Sequence, residues 1–408
     1  MRKRGRKSEN HGGDAEDMAV VLFEATTREQ ERSYEELRSQ YLMHHADRKL
    51  ILFGCGQRGL SFGAWLRERE IDFSYTDNSE ETWAALINGQ PVYPPDDILS
   101  SKDYFVVITV NKPAEIRVQL QEAGWISGDD FLEMEDAFAE EIKNAVRNGF
   151  TQNVLALGDC FLSSVSRFEA EPSMRVLLEE LGAKVLGLPN INMKEYYFLW
   201  KLLERKRKIQ RVLLLLDIST FSHQFCELPR AQHPDLWKEL QDAGQQIEGF
   251  TKFLEEEKRR EHLQISDLLK TNRKEDLPES TICRNKRMNT ILNYLFSVKP
   301  EGTELAYFQR LLDAIACSGA SCLAVLLPVN YEEGERLMSG HFAERYEVLR
   351  RTVVNAVNAR FCPQIQVKDI SFLLPGEDFI SIRNLNEGFR SNGRKKIVHK
   401  LESFILGD

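Results

Sequence analysis

The run Leu155-Ala156-Leu157-Gly158-Asp159-Cys160 ends an apolar segment on a thiol. A cysteine in that setting is a candidate nucleophile, because the thiolate is the reactive form and its pKa falls beside cations and helix N-termini. Four later apolar segments also stop at polar residues: Gly187 with Asn190 and Asn192, then Asp217-Ile218-Ser219-Thr220, then Asn330, then Asp369. A second cluster lies earlier in the chain. Gly54-Cys55-Gly56-Gln57-Arg58-Gly59 directly follows an apolar run, and Asp77 closes the next one. Glycines at that spacing allow a tight turn and a close approach of backbone to phosphate. The amides of a following helix add donors, and Asp77 falls where an acceptor for a ribose hydroxyl belongs.

The elements that must position these residues are strands. Segments 49–53, 71–75 and 104–109 read as a short three-strand unit, with a helix over 60–69. From residue 152 the strand order restarts, with apolar runs at 153–157, 183–186, 209–216, 321–327 and 365–370. Runs of this length, separated by helical patterns, predict a parallel sheet covered by helices on both faces, hence an α/β fold. Open sheets of this type bind ligands at the carboxyl ends of their strands, where the polar residues above converge. The expected organisation is a basic leader and helical lead-in over 1–48, a small Rossmann-like domain over 49–140, and a larger α/β domain over 150–408. A long insertion at about 222–319 carries helical patterns at 236–258 and 288–296 and is expected above the strand ends as a lid. Its segment 270–279 is the expected flexible part, and the basic stretch 281–287 faces either an anionic ligand or solvent.

The stretch around Cys160 resembles the nucleophile turn of SGNH (GDSL-type) esterases, in which a buried strand ends in Gly-Asp-Ser; Cys160 stands at the serine place. The later blocks of that family follow in order. Gly187 lies near the block-two glycine, 217–220 replaces the block-three Gly-x-Asn-Asp, and Glu387 and Arg390 occupy the aspartate and histidine places of the final Asp-x-x-His. The resemblance implies an SGNH-hydrolase-like, flavodoxin-like α/β/α domain. It also implies acyl transfer to a sugar or hydrolysis of a sugar ester, with Cys160 as nucleophile, an oxyanion pocket from Gly187 and Ser219, and Asp159, Glu387 and Arg390 completing the catalytic set. Asn190, Asp217 and Asn330 join Gly187 on the substrate side. A guanidinium keeps its proton at any ordinary pH, so Arg390 can lower the pKa of a thiol or bind an anion but cannot act as base. Two outcomes stay open: a thiolate pre-formed by Arg390, or a glycan-binding fold without turnover. His223 is expected to be a surface residue, and the six other cysteines inert small hydrophobes.

Tyr75-Thr76-Asp77-Asn78, the segment 87–93 and the strand at 104–109 resemble the small N-terminal domain of bacterial sugar O- and N-acyltransferases. This likeness covers 49–135 and implies a nucleotide-sugar ligand held by Gly54, Gly56, Gly59 and Asp77, with no cofactor required. It also implies a part in surface-polysaccharide biosynthesis.

Composition bounds the rest. At 408 residues the chain exceeds what one core organises, so two domains are expected. A net charge of −9 argues against a nucleic-acid partner, although five of the first seven residues are Lys or Arg. Neither a secretory signal nor a membrane span is expected, since the basic leader runs into polar residues and no apolar stretch is long enough to cross a bilayer. Seven cysteines without metal-ligand spacing fit free thiols in a reducing, cytoplasmic setting, with no metal site. The expected partner is a small-molecule or glycan substrate.

Overall fold

Two larger sheets, one mixed and one parallel, each with apolar side chains on both faces, organise the chain, with a small antiparallel pair of strands at 21–23 and 164–166 beside them. The computed structural model describes all residues except 1–20, 24–27, 84–85, 88, 111–112, 135–136, 167–171, 224–232, 262–289, 292, 299–301, 360–361, 381–387 and 408. Its strands are β1 (Val21–Phe23), β2 (Lys49–Phe53), β3 (Phe73–Thr76), β4 (Leu86–Ile87), β5 (Gln90–Tyr93), β6 (Tyr104–Ile108), β7 (Phe131–Glu133), β8 (Val154–Gly158), β9 (Ser164–Ser166), β10 (Ala183–Gly187), β11 (Arg211–Leu216), β12 (Ser321–Leu326) and β13 (Ile365–Asp369).

The first sheet has the order β4-β5-β3-β2-β6-β7, with β4 antiparallel to β5 and every other pairing parallel. Alternation along β2 sends Leu50 and Leu52 to one face, with Phe105 and Val107, and Ile51 and Phe53 to the other, with Val106 and Ile108. The unit therefore has six strands where the sequence suggested three. The additions are short and poorly patterned: β5 contains Pro91 and β7 spans three residues. Helix α1 (Arg28–His44) packs Tyr34, Leu37 and Tyr41 into the first of these cores. Helices α2 (Gln57–Arg67), α3 (Pro95–Leu99) and α4 (Ala114–Glu122) complete the unit.

The second sheet is parallel throughout, in the order β10-β8-β11-β12-β13. Counted along the chain this is 2-1-3-4-5, the flavodoxin-like doubly wound order. All five residues of β8 are buried, Leu155 and Leu157 against one core and Val154 and Ala156 against the other, so the sheet is sandwiched between two helical layers. Helix α5 (Ala137–Asn148), the connector between the sheets, puts Ile142, Ala145 and Val146 into the larger of these cores. The remaining helices are α6 (Met174–Glu180), α7 (Met193–Leu203), α8 (Pro234–Glu239), α9 (Gln241–Gly244), α10 (Phe250–Glu261), α11 (Thr303–Cys317), α12 (Tyr331–Leu337), α13 (Phe342–Asn358) and α14 (Ser391–Leu406).

The insertion departs from expectation in two ways. The segment 236–258 is not one helix but α8, α9 and α10, interrupted before Phe250 by Gly249 at φ +81°. Nor is its described part a lid. Trp237, Phe250 and Phe253 are buried; Phe253 stacks on Phe198 of α7 with ring centres 4.6 Å apart, Phe250 meets Phe198 edge-on, and Trp237 meets both phenylalanines of the insertion edge-on. Aromatic burial of this size, about 2 kcal/mol or more per ring, makes this described segment of the insertion part of the core. The segments 270–279 and 281–287 lie outside the described residues.

Candidate functional site

The order of the second sheet reverses between β8 and β11, and the crevice beyond the carboxyl ends of strands at such a reversal is where ligands bind. Cys160 opens the turn that leaves β8 there, a 3-10 segment Cys160–Ser163. The turn is tight. A Cβ on Gly158 would come within 2.6 Å of Leu162, and one on Gly187, its neighbour in β10, within 3.2 Å of the Asp159 carbonyl. Asp159 is buried, and its Oδ1 accepts the backbone amide of Asn190 at 2.9 Å. Asn190 has φ +56°, a left-handed conformation that asparagine tolerates better than most residues. So Asp159, Cys160, Gly187 and Asn190 are brought together, with Asn190 contributing its backbone.

Asp217 and Ser219, beyond β11, form a self-contained turn. The Asp217 carboxylate accepts the Ser219 amide at 2.7 Å and its carbonyl accepts the Thr220 hydroxyl at 2.7 Å. Asp217 also faces the buried Tyr346 of α13, whose phenol is pushed far up, first by burial and then by that carboxylate. Asn330 is buried and caps α12, accepting the Glu333 amide at 3.2 Å.

Arg390 is exposed, and its Nε donates to the carbonyl of Phe379 at 3.1 Å. Its neighbour Phe389 meets Phe161, the residue after Cys160, with ring centres 6.3 Å apart, so the loop before α14 does reach the β8 turn. Glu387 lies outside the described residues, and His223 is exposed.

Two buried networks that the motif reading did not include flank the turn. Arg175 of α6 is fully buried; its Nε donates to Ser163 Oγ at 2.8 Å and its Nη1 to Glu141 of α5 at 2.6 Å and to the Val185 carbonyl at 3.2 Å. A signal for it existed, since Arg175 and Leu178 share one face of a short helix whose other buried anchor is Met174. Fully buried Glu195 of α7 accepts His233 Nδ1 at 2.7 Å, Trp237 Nε1 at 2.7 Å and the Asn192 amide at 3.1 Å. His233 Nε2 meets the Pro189 carbonyl at 2.8 Å. Both ring nitrogens thus face oxygen acceptors, and only the imidazolium can donate to both. No local signal joins Glu195 to a histidine 38 residues on.

In the first sheet, the glycine turn leaves β2 where the strand order also reverses, between β2 and β6. Gly54 has φ +118°, its amide donates to the Thr76 carbonyl, and its carbonyl accepts the Thr109 hydroxyl at 2.9 Å. Gly56 precedes α2, and a Cβ there would meet nothing within 4 Å. Asp77 faces inward: one carboxylate oxygen accepts the Cys55 amide at 2.7 Å and the other the Ser79 amide at 2.9 Å. The carboxylate clamps the turn, and the Cys55 amide is taken up by it. Burial, and then the charge and hydrogen bond of Asp77, push the Cys55 thiol up to about 12. At pH 8 its thiolate fraction is on the order of one in ten thousand. Iodoacetamide at pH 8 is therefore expected to leave Cys55 unlabelled in native protein while a denatured sample reacts; equal rates in both states would contradict this placement.

Among the described residues, no group of three or more His, Cys, Asp or Glu side chains is arranged to hold a metal ion, and no helix is long and apolar enough to cross a membrane. No protein-family model and no curated protein matches the chain. Among solved structures the chain is similar to one from Streptococcus pneumonia described as a platelet activating factor, at 9% identity and a TM-score of 0.34, covering 66% of this chain and 91% of that one.

Proposed function

We propose that this is a two-domain protein of surface-glycan biosynthesis, working in the cytoplasm. The first sheet binds a nucleotide-sugar at its glycine turn, and the second domain, of SGNH type, moves an acyl group to or from a sugar through Cys160. The observation that carries this reading is the position of Cys160 at the order reversal of a 2-1-3-4-5 sheet, next to Gly187 and the Asp159–Asn190 contact. In the first step the Cys160 thiolate attacks the acyl carbonyl, a thioester forms, and the leaving group departs with a proton from solvent. A sugar hydroxyl or water then attacks the thioester, gives its proton to solvent, takes the acyl group and returns the thiolate. Gly187 and Ser219 are the proposed oxyanion donors, Asn190, Asp217 and Asn330 the substrate side, and Glu387 with Arg390 the orienting pair.

A second reading, a glycan or nucleotide-sugar binding protein without turnover, is favoured by two observations. Arg390 is exposed and engaged with the Phe379 carbonyl, and His233 has acceptors on both ring nitrogens. Neither is poised as a base. Release of p-nitrophenol from short acyl esters, or transfer from acyl-CoA to a sugar, separates the two readings. Turnover by the wild type that is lost in Cys160→Ala supports the enzyme; sugar binding with no Cys160-dependent turnover supports the binding protein.

A further inference from the structure

We propose that Arg175 is the positioning residue of the Cys160 turn, holding its last residue through Ser163 and presenting one edge of a buried guanidinium to the Asp159/Gly187 junction. The inference deepens the reading of Cys160 as nucleophile and rests on it. Four observations support it. Arg175 is 0% exposed, and its Nε holds Ser163, the last residue of the 3-10 segment that Cys160 opens. Its Nη1 joins that turn to β10 through the Val185 carbonyl and to α5 through Glu141. Its Nη2 has no hydrogen-bond partner among the described residues, although a guanidinium buried this deeply ordinarily has every N–H satisfied. That same Nη2 lies 3.6 Å from where a Cβ on Gly187 would stand, a point that is 3.2 Å from the Asp159 carbonyl.

Cations and carboxylates share the site, and Asp159, buried beside Cys160, accepts the Asn190 amide. Glu141, itself 3% exposed, is shared between Arg175 and Lys184, each at 2.6 Å. Glu179 reaches Arg175 Nη1 at 3.8 Å from a side chain that is 36% exposed and screened by water. Arg175 and Lys184 thus stand against Glu141 and the more exposed Glu179, with the Asp159 carboxylate next to Cys160, and Arg175 is the fully buried cation among them. A fixed positive charge at a turn stabilises a thiolate there more than a thiol. Arg390, exposed and bonded to Phe379, is less suited to that role than Arg175.

The test is the rate of iodoacetamide labelling of Cys160 in the full-length chain as a function of pH, read by peptide mass spectrometry, with circular dichroism to establish folding. Arg175→Met is expected to slow labelling at pH 7 about tenfold or more and to move its midpoint upward by one pH unit or more, with Arg175→Lys recovering part of the rate. Ser163→Ala, which keeps the cation and removes the tether, is expected to slow labelling by a smaller factor. Glu141→Gln carries the opposite sign: with the shared carboxylate gone, labelling at pH 7 should speed up several-fold, which loosened packing of a structural arginine does not predict. If folded Ser163→Ala and Glu141→Gln both label at the wild-type rate with the wild-type midpoint, the inference is overturned, whether or not Arg175→Met folds. Labelling reads the thiol without turnover, so a protein that hydrolyses no ester still answers this question, and a catalytically active protein with an Arg175-independent thiol refutes the inference alone.

Discussion

Gly59→Ala is expected to unfold the glycine-turn unit, whereas Gly56→Ala leaves its stability nearly unchanged and weakens nucleotide binding. The two glycines belong to one motif, yet their surroundings differ. A Cβ on Gly59 would lie 2.0 Å from the Gly54 carbonyl oxygen and 2.8 Å from Thr109 Oγ1. Neither neighbour can yield. The Gly54 carbonyl is held by the Thr109 hydroxyl, which also bonds Phe53, and Gly54 itself has a backbone conformation that fixes the turn. Forcing a methyl group into that contact moves α2 away from β2 at a cost of about 3 kcal/mol or more, at the upper end for overpacking because the clash is with backbone. Gly56 has open space in front of it and φ −71°, so alanine fits the conformation and touches nothing. What remains for Gly56 is approach by a ligand. Thermal unfolding followed through Trp65, Trp83 and Trp125, the tryptophans of this unit, should drop sharply for Gly59→Ala and stay within about 0.5 kcal/mol of wild type for Gly56→Ala. Titration with UDP-sugars and with NAD should then show weaker binding in Gly56→Ala and none in Gly56→Asp. A Gly56→Asp variant that binds like wild type, or a wild-type protein that binds neither ligand, removes the nucleotide-sugar site from the proposal.

The strands of the second sheet were legible because buried parallel strands are nearly continuous apolar runs. Val212 to Leu216 are five consecutive aliphatic residues, all below 1% exposed, and the expected segments at 209–216 and 321–327 differ from β11 and β12 by one or two residues at their ends. The outer strands of the first sheet carry little such signal, since a three- or four-residue strand with a proline cannot be told from loop by periodicity. The broken helix of the insertion has a tertiary cause. A Cβ on Gly244 would lie 2.2 Å from the Phe250 ring, so the chain folds back on itself there to bury that phenylalanine against α7. Cys160, Asp159, Gly187 and Asn190 were legible as a group because strand ends in this topology must converge. The inward turn of Asp77 was not, because the motif records where a carboxylate stands along the chain but not which amide it accepts. Arg175 and Glu195 are the same kind of case. Each is a charged residue inside a helix with partners on other elements, and although Arg175 shares a helix face with Met174 and Leu178, only the packed core shows which groups each one holds.

Replacing Glu195 with alanine is expected to cost about 3–5 kcal/mol and to disturb the Cys160 site from the far side of β10. The carboxylate is fully buried, and three donors end on it: His233 Nδ1, Trp237 Nε1 and the Asn192 amide. Alanine removes all three acceptor contacts at once. It leaves a buried indole N–H and a largely buried imidazole without the acceptor they share, and a buried donor that loses its partner costs its full desolvation. Glutamine is the graded control. Its single carbonyl oxygen can keep His233 and Trp237, but its amide then points N–H at the Asn192 N–H, so a loss of about 1–3 kcal/mol is expected. The damage should propagate along named bonds. His233 ties the start of α8 to the Pro189 carbonyl, and the next residue, Asn190, gives the amide that holds Asp159. With His233 released, the loop from Pro189 to Asn192 loses its tie to α8, and the Asp159 contact beside Cys160 weakens with it. Urea denaturation followed at Trp200 and Trp237 should rank wild type above Glu195→Gln above Glu195→Ala, and labelling of Cys160 in the folded fraction of Glu195→Gln should differ from wild type. An alanine variant within about 1 kcal/mol of wild type would show that these donors find other partners and that the α8 anchor does not support the site.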